Sequence, residues 1–316
     1  MKLRSYIKKM VGRVAISTLL RRSFIYPNMY LLNLKESELP KAKKILFYFN
    51  EPEFMHLGDH LFFLPLIKTF IDSGYQIEVD PAAIMRPLFE KLGIPIFDET
   101  TKLNSYDLIV SRTELFDKLI HHKSLLVDVA RNLSMPICDQ LIMQFSKYFA
   151  LKPYISYDFS VLKSDNILHK MHLLPKYKYI LFNFYCDSSS FLITEKKVNA
   201  LVKKVKKYAN LPEYKVVLVG SKGDKDSDSH IYDFDYIDLR GQTTVLDIFA
   251  LAQNDKVEHY IGFDAFVMHV FSLMHKTSFV VFRGRIGARQ HKMLEQFHVH
   301  LFKDDNYVSL IRGSTL

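Results

Sequence analysis

From Lys44 onward, apolar runs of strand length alternate with longer segments whose apolar residues recur at helical spacing. Residues 45–49, 75–79, 107–111 and 124–129 read as strands, and the amphipathic stretches at about 60–73, 82–92, 113–121 and 138–149 as the helices between them. Residues 150–177 hold Pro153 and Pro175, show little periodicity, and read as a connection. A second alternation follows, with strands expected at 179–184, 215–219, 236–239, 260–262 and 279–282 and helices at 244–253 and 264–274. In the helix after the first of these strands, Val198, Leu201, Val202 and Val205 form one apolar face. Lys196, Lys197, Lys203, Lys204, Lys206 and Lys207 cover the other, as expected of the solvated back of a helix. Strand–helix alternation of this kind predicts parallel strands with crossover helices, hence an α/β fold. Two tandem open sheets place ligands near the carboxyl ends of their strands. The expected organisation is an arm over 1–43, a first domain over 44–155, a linker over 156–177 and a second domain over 178–316.

Charge changes the picture only at the N-terminus. The chain of 316 residues has 43 basic and 34 acidic residues, a formal charge of +9. Eight of the basic residues (Lys2, Arg4, Lys8, Lys9, Arg13, Arg21, Arg22 and Lys35) precede the first acid, Glu36, and removing them leaves 35 basic against 34 acidic residues. A neutral body argues against a nucleic-acid-binding domain. Within the arm, Leu3, Ile7, Met10, Val14 and Thr18 recur at helical spacing among the basic residues, which predicts an amphipathic basic helix. Such a helix fits either an anionic membrane surface, through residues 1–22, or packing on the domain with its basic face in water. Lys8, Lys9 and Arg13 interrupt what would be the apolar core of a signal peptide. No apolar run of membrane-spanning length occurs. Cys138 and Cys186 lie far apart and outside any Cys/His cluster, which speaks against a disulfide framework or a structural zinc site and for a reducing cytoplasm.

The candidate chemistry sits at strand-to-helix junctions. Leu57-Gly58-Asp59-His60 follows the first strand, with Gly58 suited to a tight turn and Pro65 expected to kink the helix or mark its start. Asp59 fits two roles, the cap of that helix or a general base facing a cleft. In the second half, Gly262-Phe263-Asp264-Ala265-Phe266 leads from a strand into a helix. Asp264 is its natural N-cap, and the backbone N–H groups at 265–267 can take a diphosphate. His269 is placed to reach a phosphate or an acceptor, or to pack in the core. Asp238-Leu239-Arg240-Gly241-Gln242-Thr243-Thr244 gives a turn at Gly241 and a cap at Thr243 or Thr244. Asp187, Ser188, Ser189 and Ser190 offer hydroxyl and N–H groups at the same sheet edge. Arg283 and Arg285 suit phosphate recognition, or pairing with the acidic stretch 224–235.

Gly58-Asp59 with the Pro65 run, Asp238-Leu239-Arg240-Gly241-Gln242-Thr243, and Gly262-Phe263-Asp264 with His269 occur in an order, over about residues 44–300, that resembles the heptosyltransferases of glycosyltransferase family 9. Phe282-Arg283-Gly284 matches the family's last element with one residue inserted. Phe266 replaces its usual glycine, and residues 187–190 lack the phosphate-loop lysine. The resemblance implies the GT-B architecture, two facing Rossmann-like domains with parallel sheets. It also implies inverting transfer of a heptose or related sugar, from a nucleotide sugar such as ADP-heptose to a lipopolysaccharide or lipooligosaccharide core acceptor. Asp59 would then be the general base, with Gly58 and His60 on the acceptor. Ser188, Ser189, Gly241, Thr243, Asp264, Ala265, Phe266, His269 and Arg283 would hold the donor. No cofactor or metal is expected, because neither Asp224-Lys225-Asp226 nor Asp226-Ser227-Asp228 reads as a cleft motif. A lipid-anchored acceptor would place the enzyme on the cytoplasmic face of the inner membrane, with a purpose for the arm. The other readings are a nucleotide-sugar epimerase of the same architecture, which needs no lipid acceptor, and a non-catalytic sugar- or lipid-binding protein.

Overall fold

The inner strands of each sheet are largely apolar runs, as expected where both faces are covered, while the edge strands at Gln76–Asp80 and Tyr236–Asp238 carry polar residues. The computed structural model describes residues 24–26, 29–50, 56–98, 100–127, 137–153, 158–184, 195–228, 231–263, 265–274, 276–281 and 307–309. The chain forms two units: Met1–Arg131 with Gln140–Tyr157, and Asn132–Asp139 with Asp158–Leu316.

In the first unit the strands are β1 (Phe24–Tyr26), β2 (Met29–Leu32), β3 (Lys44–Tyr48), β4 (Gln76–Asp80), β5 (Leu108–Arg112) and β6 (Ser124–Val127), in the sheet order β1-β2-β6-β5-β3-β4. β3 to β6 are parallel, whereas β2 runs antiparallel to β6 and β1 antiparallel to β2. The sheet therefore begins inside the segment expected to be the arm. Met29, Leu31 and Leu32 are buried, and this apolar run is stabilised by pairing with β6. The expected amphipathic helix at 1–22 lies outside the described residues.

Helix α1 (Leu57–Asp72) covers this sheet and runs through Pro65, which neither starts nor ends it. The hydroxyl of Thr69 donates to the Pro65 carbonyl at 2.8 Å, and Phe47, Phe63 and Phe70 join helix and sheet in edge-to-face contacts. The helix expected at 82–92 is a 3-10 turn followed by α2 (Arg86–Lys91). That at 113–121 is likewise a 3-10 turn and α3 (Phe116–Leu119), and α4 is Ile137–Phe145.

The second unit opens within the expected linker. Asp158 caps a 3-10 helix at Phe159–Leu162, and α5 (Ile167–Lys170) follows. The strands are β7 (Lys178–Asn183), β8 (Tyr214–Leu218), β9 (Tyr236–Asp238), β10 (Val257–Phe263), β11 (Thr277–Val281) and β12 (Tyr307–Ser309), all parallel in the order β12-β11-β10-β7-β8-β9. Between them lie α6 (Glu195–Ala209), α7 (Lys222–Ser227), α8 (Val245–Gln253) and α9 (Phe266–Leu273). The segment expected to be a linker packs on α8: Phe159 stacks on Phe249 at 5.9 Å, and Lys170 Nζ donates to Asp247 Oδ1 at 2.6 Å. On the other face, Val198, Leu201 and Val205 of α6 meet Ile180, Phe182, Val216 and Ile261. Lys206 pairs with Asp233, and Lys204 Nζ lies 3.6 Å over the Phe279 ring. These contacts account for part of the lysine run without a nucleic-acid partner.

Candidate functional site

In each sheet the connections reverse direction once. The chain passes from β3 to β4 on one side and then crosses to β5 on the other; likewise β7 leads to β8 and β9 before the chain crosses to β10. Ligands bind open α/β sheets in the crevice at the carboxyl ends of the two strands that flank such a reversal. These positions are β3/β5 in the first unit and β7/β10 in the second.

At the first, the Ser111 hydroxyl donates to the Tyr48 carbonyl at 2.6 Å and ties the end of β5 to the end of β3. The next residue, Arg112, closes β5 and reaches the first turn of α1, where its Nη1 lies 3.3 Å from Asp59 Oδ2. The two side chains are only 11% and 17% exposed. The N-cap of α1 is His56, so Asp59 stands at the third helical position and is not the cap. Its charge there favours the positive helix end. Oδ1 of Asp59 accepts no hydrogen bond from any described residue. One carboxylate oxygen thus faces Arg112, and the other meets no hydrogen-bond donor among the described residues.

Two neighbours depart from expectation. Gly58 lies within the helix and not in a turn. His60 is fully buried with both ring nitrogens engaged: the Ala82 N–H donates to Nε2 at 3.1 Å, so Nδ1 carries the proton and donates to the His56 carbonyl at 3.1 Å. Burial pushes its pKa down to about 4, against the smaller opposing effect of the His56 bond. Packed edge-on against Phe49 and Phe89, His60 is a neutral core residue that fixes the start of α1, and its ring has no nitrogen left for an acceptor.

At the second position, α9 has Ala265 as its N-cap, with no side-chain cap. The expected capping residue, Asp264, lies one position earlier and outside the described residues, as do Ser188, Ser189, Arg283 and Arg285. Alanine has no side-chain oxygen, so Ala265 itself caps none of the first-turn N–H groups, and such a helix end suits an anion. The Phe266 ring is 6.4 Å from that of Phe249 and packs towards α8, which leaves only its backbone N–H for phosphate contact. His269 is buried one turn into α9. Gly262 must be glycine for packing reasons. A Cβ there would overlap the Tyr260 hydroxyl and come within 2.5 Å of the Asn183 carbonyl oxygen.

The loop after β9 is built on Arg240. Its Nε and Nη2 hold the two Asp238 oxygens at 3.0 Å each, and Nη1 donates to Asp228 Oδ2 at 2.5 Å. Tyr232 donates to the same Asp228 oxygen at 3.1 Å. Arg240 is therefore committed to the acidic stretch that was expected to meet Arg283 or Arg285. Gly241 turns with φ +74°, its N–H on the Gly220 carbonyl at 2.9 Å. Thr244, not Thr243, caps α8, in a reciprocal box with Asp247. Ser221 and Asp224 cap α7 in the same way, so Asp224, Asp228 and Asp233 of the acidic stretch are all engaged in structural contacts. Among the described residues, no group of three His, Cys, Asp or Glu side chains could hold a metal ion. No helix among them is long and apolar enough to cross a membrane.

Arg112 and Asn183, the last residues of β5 and β7, were not singled out from the sequence. The available signal was a polar residue ending an apolar run just before a crossover.

No family model and no curated protein matches the sequence. Solved structures do match the fold. ADP-heptose LPS heptosyltransferase II from E. coli aligns over 75% of this chain and 84% of its own, with a TM-score of 0.50 at 16% identity. A glycosyl transferase of family 9 from Veillonella parvula aligns over 86% of this chain and 93% of its own, with a TM-score of 0.51 at 13% identity. The chain thus has the GT-B architecture that the resemblance implied, two Rossmann-like α/β units in tandem, in the form shared with heptosyltransferase-type enzymes of glycosyltransferase family 9.

Proposed function

We propose that the protein is an inverting glycosyltransferase that moves a heptose or related sugar from a nucleotide-sugar donor such as ADP-heptose to a lipopolysaccharide or lipooligosaccharide core acceptor. The observation that carries the reading is the Asp59 carboxylate: it sits at the β3/β5 reversal, with one oxygen paired to Arg112 and the other without a hydrogen-bond donor among the described residues. In the proposed reaction, Oδ1 takes the proton of an acceptor hydroxyl as that oxygen attacks the anomeric carbon. The bond from that carbon to the diphosphate breaks on the opposite face, so the configuration inverts. The nucleoside diphosphate leaves as an anion and needs charge stabilisation more than a proton. The N-terminal end of α9 supplies N–H groups of the required polarity.

In this reading Ala265 and Phe266 contribute backbone donors, and Ser188, Ser189, Gly241, Thr243, Asp264, His269 and Arg283 complete the donor site. The acceptor lies against the first turn of α1, beside Gly58. Transfer needs no metal, and residues 1–22 hold the enzyme on an anionic membrane, at the cytoplasmic face of the inner membrane. The test is release of ADP from ADP-heptose in the presence of a truncated core acceptor, with and without EDTA. Acceptor-dependent, EDTA-insensitive release that Asp59→Asn abolishes without loss of ADP binding is expected. Turnover without acceptor would favour an epimerase or hydrolase and sink the transferase reading.

A further inference from the structure

Side chains alternate along β7. Ile180, Phe182 and Phe184 belong to the core beneath α6, so Tyr179, Leu181 and Asn183 face the other way. On β10, Ile261 and Phe263 share that core, while Tyr260 and Gly262 face α9, with the Tyr260 ring 5.8 Å from Phe271. Asn183 and Gly262 are direct partners across the two strands, at their carboxyl ends. They mark the reversal point of the second sheet on the α9 side.

Asn183 is 7% exposed, and its Oδ1 is buried without a hydrogen-bond partner. A buried polar atom left unpaired bears its full desolvation penalty, and such atoms in folded proteins call for an explanation. Packing does not supply one here. Leucine has nearly the same shape and would fill the position without the penalty, and every other residue of β7 from Tyr179 onward is apolar. The location supplies it, since ligands of open α/β sheets enter at this point. The chemistry narrows the ligand. A carboxamide is uncharged and offers an acceptor oxygen, which a phosphate cannot satisfy and a hydroxyl can. The N-terminus of α9 at the same sheet edge suits the phosphate of the same molecule.

We propose that Asn183 is a donor-site residue whose Oδ1 accepts a hydrogen bond from a hydroxyl of the bound nucleotide sugar. This rests on the transferase reading for the identity of the ligand. A residue kept polar for a ligand weakens the empty protein and strengthens the complex, and an apolar isostere reverses both effects.

The experiment is thermal unfolding of wild type and Asn183→Leu, each without ligand and with ADP or ADP-glucose. The ligand-free melting temperature of the variant should rise by about 2–4 °C. At least one of the two ligands should bind about five- to tenfold more weakly. If leucine prevents folding, Asn183→Val carries the same test in a smaller, strand-compatible side chain. The assignment requires both changes in the same variant. A rise without weaker binding, or weaker binding without a rise, overturns it. A wild type stabilised by neither ligand nor by UDP, GDP or CMP would overturn the transferase reading together with this assignment, which separates the two failures.

Discussion

Breaking the Asp59–Arg112 pair tests the geometry of the first sheet edge directly. At 3.3 Å and an effective dielectric of ~20, the attraction between unit charges is about 5 kcal/mol, against a desolvation penalty of several kcal/mol for each ion. The pair therefore contributes little net stability, while removing one member costs the other, at 11–17% exposure, this partner. Arg112→Met should destabilise the protein by about 3 kcal/mol, and Asp59→Asn by about 2 kcal/mol. The double variant removes both charges and should lose only about 2 kcal/mol in all, a coupling of about 3 kcal/mol. Urea unfolding of the four proteins at pH 7 measures this, and most of the coupling should survive 1 M salt because the pair is shielded from solvent. Single losses that add to the double loss within ~0.5 kcal/mol would refute the claim that the two groups hold each other.

Other expectations follow from the same structure. His60 has a folded pKa of about 4, below its ordinary value of 6.5. The unfolded chain therefore takes up the proton first, so the contribution of His60 is fully present above pH 6.5 and is lost as the pH falls towards 4. That loss is about 3 kcal/mol, and His60→Gln should flatten this part of the stability–pH curve measured by urea midpoints. Thr244→Ala should cost about 1 kcal/mol by uncapping α8, whereas Thr243→Ala should leave the melting temperature unchanged; the reverse order would place the cap wrongly. Gly262→Ala should lower stability by about 3 kcal/mol or abolish soluble expression, because the added carbon meets backbone as well as side chain. Deleting residues 1–22 should abolish pelleting with vesicles containing anionic lipid, and undiminished pelleting would remove the arm from the account.

The parallel strands were legible because burial on both faces leaves an apolar run that needs no partner to be recognised. Short elements were less so. β1, β2 and β12 have three or four residues each, and their strand character comes from pairing with a distant neighbour. α7, with the sequence Lys222-Gly223-Asp224-Lys225-Asp226-Ser227, carries no apolar stripe and forms on its Ser221–Asp224 cap. The 158–177 segment lacks periodicity because a 3-10 turn and a single α-turn are too short to display it. At the site, Asp59 was visible as a charged residue opening a helix, but spacing alone favoured a cap. The structure removes the cap by placing His56 there, and pairs Asp59 with Arg112, more than fifty residues away and brought to it by sheet register. Asn183 was hidden for the same reason, since nothing local separates a polar strand end from a polar residue at a topological reversal. His60 shows the opposite case: beside a candidate base it looked functional, and only its two occupied ring nitrogens place it in the core.

The central claim is that the second unit holds a nucleotide sugar at the carboxyl edge of its sheet, and a thermal-shift panel of ADP, UDP, GDP and CMP, with and without EDTA, tests it most directly. A nucleotide at about 100 times its dissociation constant stabilises a fold by roughly 2.7 kcal/mol, a readily measured shift. A shift with ADP alone, unchanged by EDTA, is the expected result. No shift with any of the four would contradict the account.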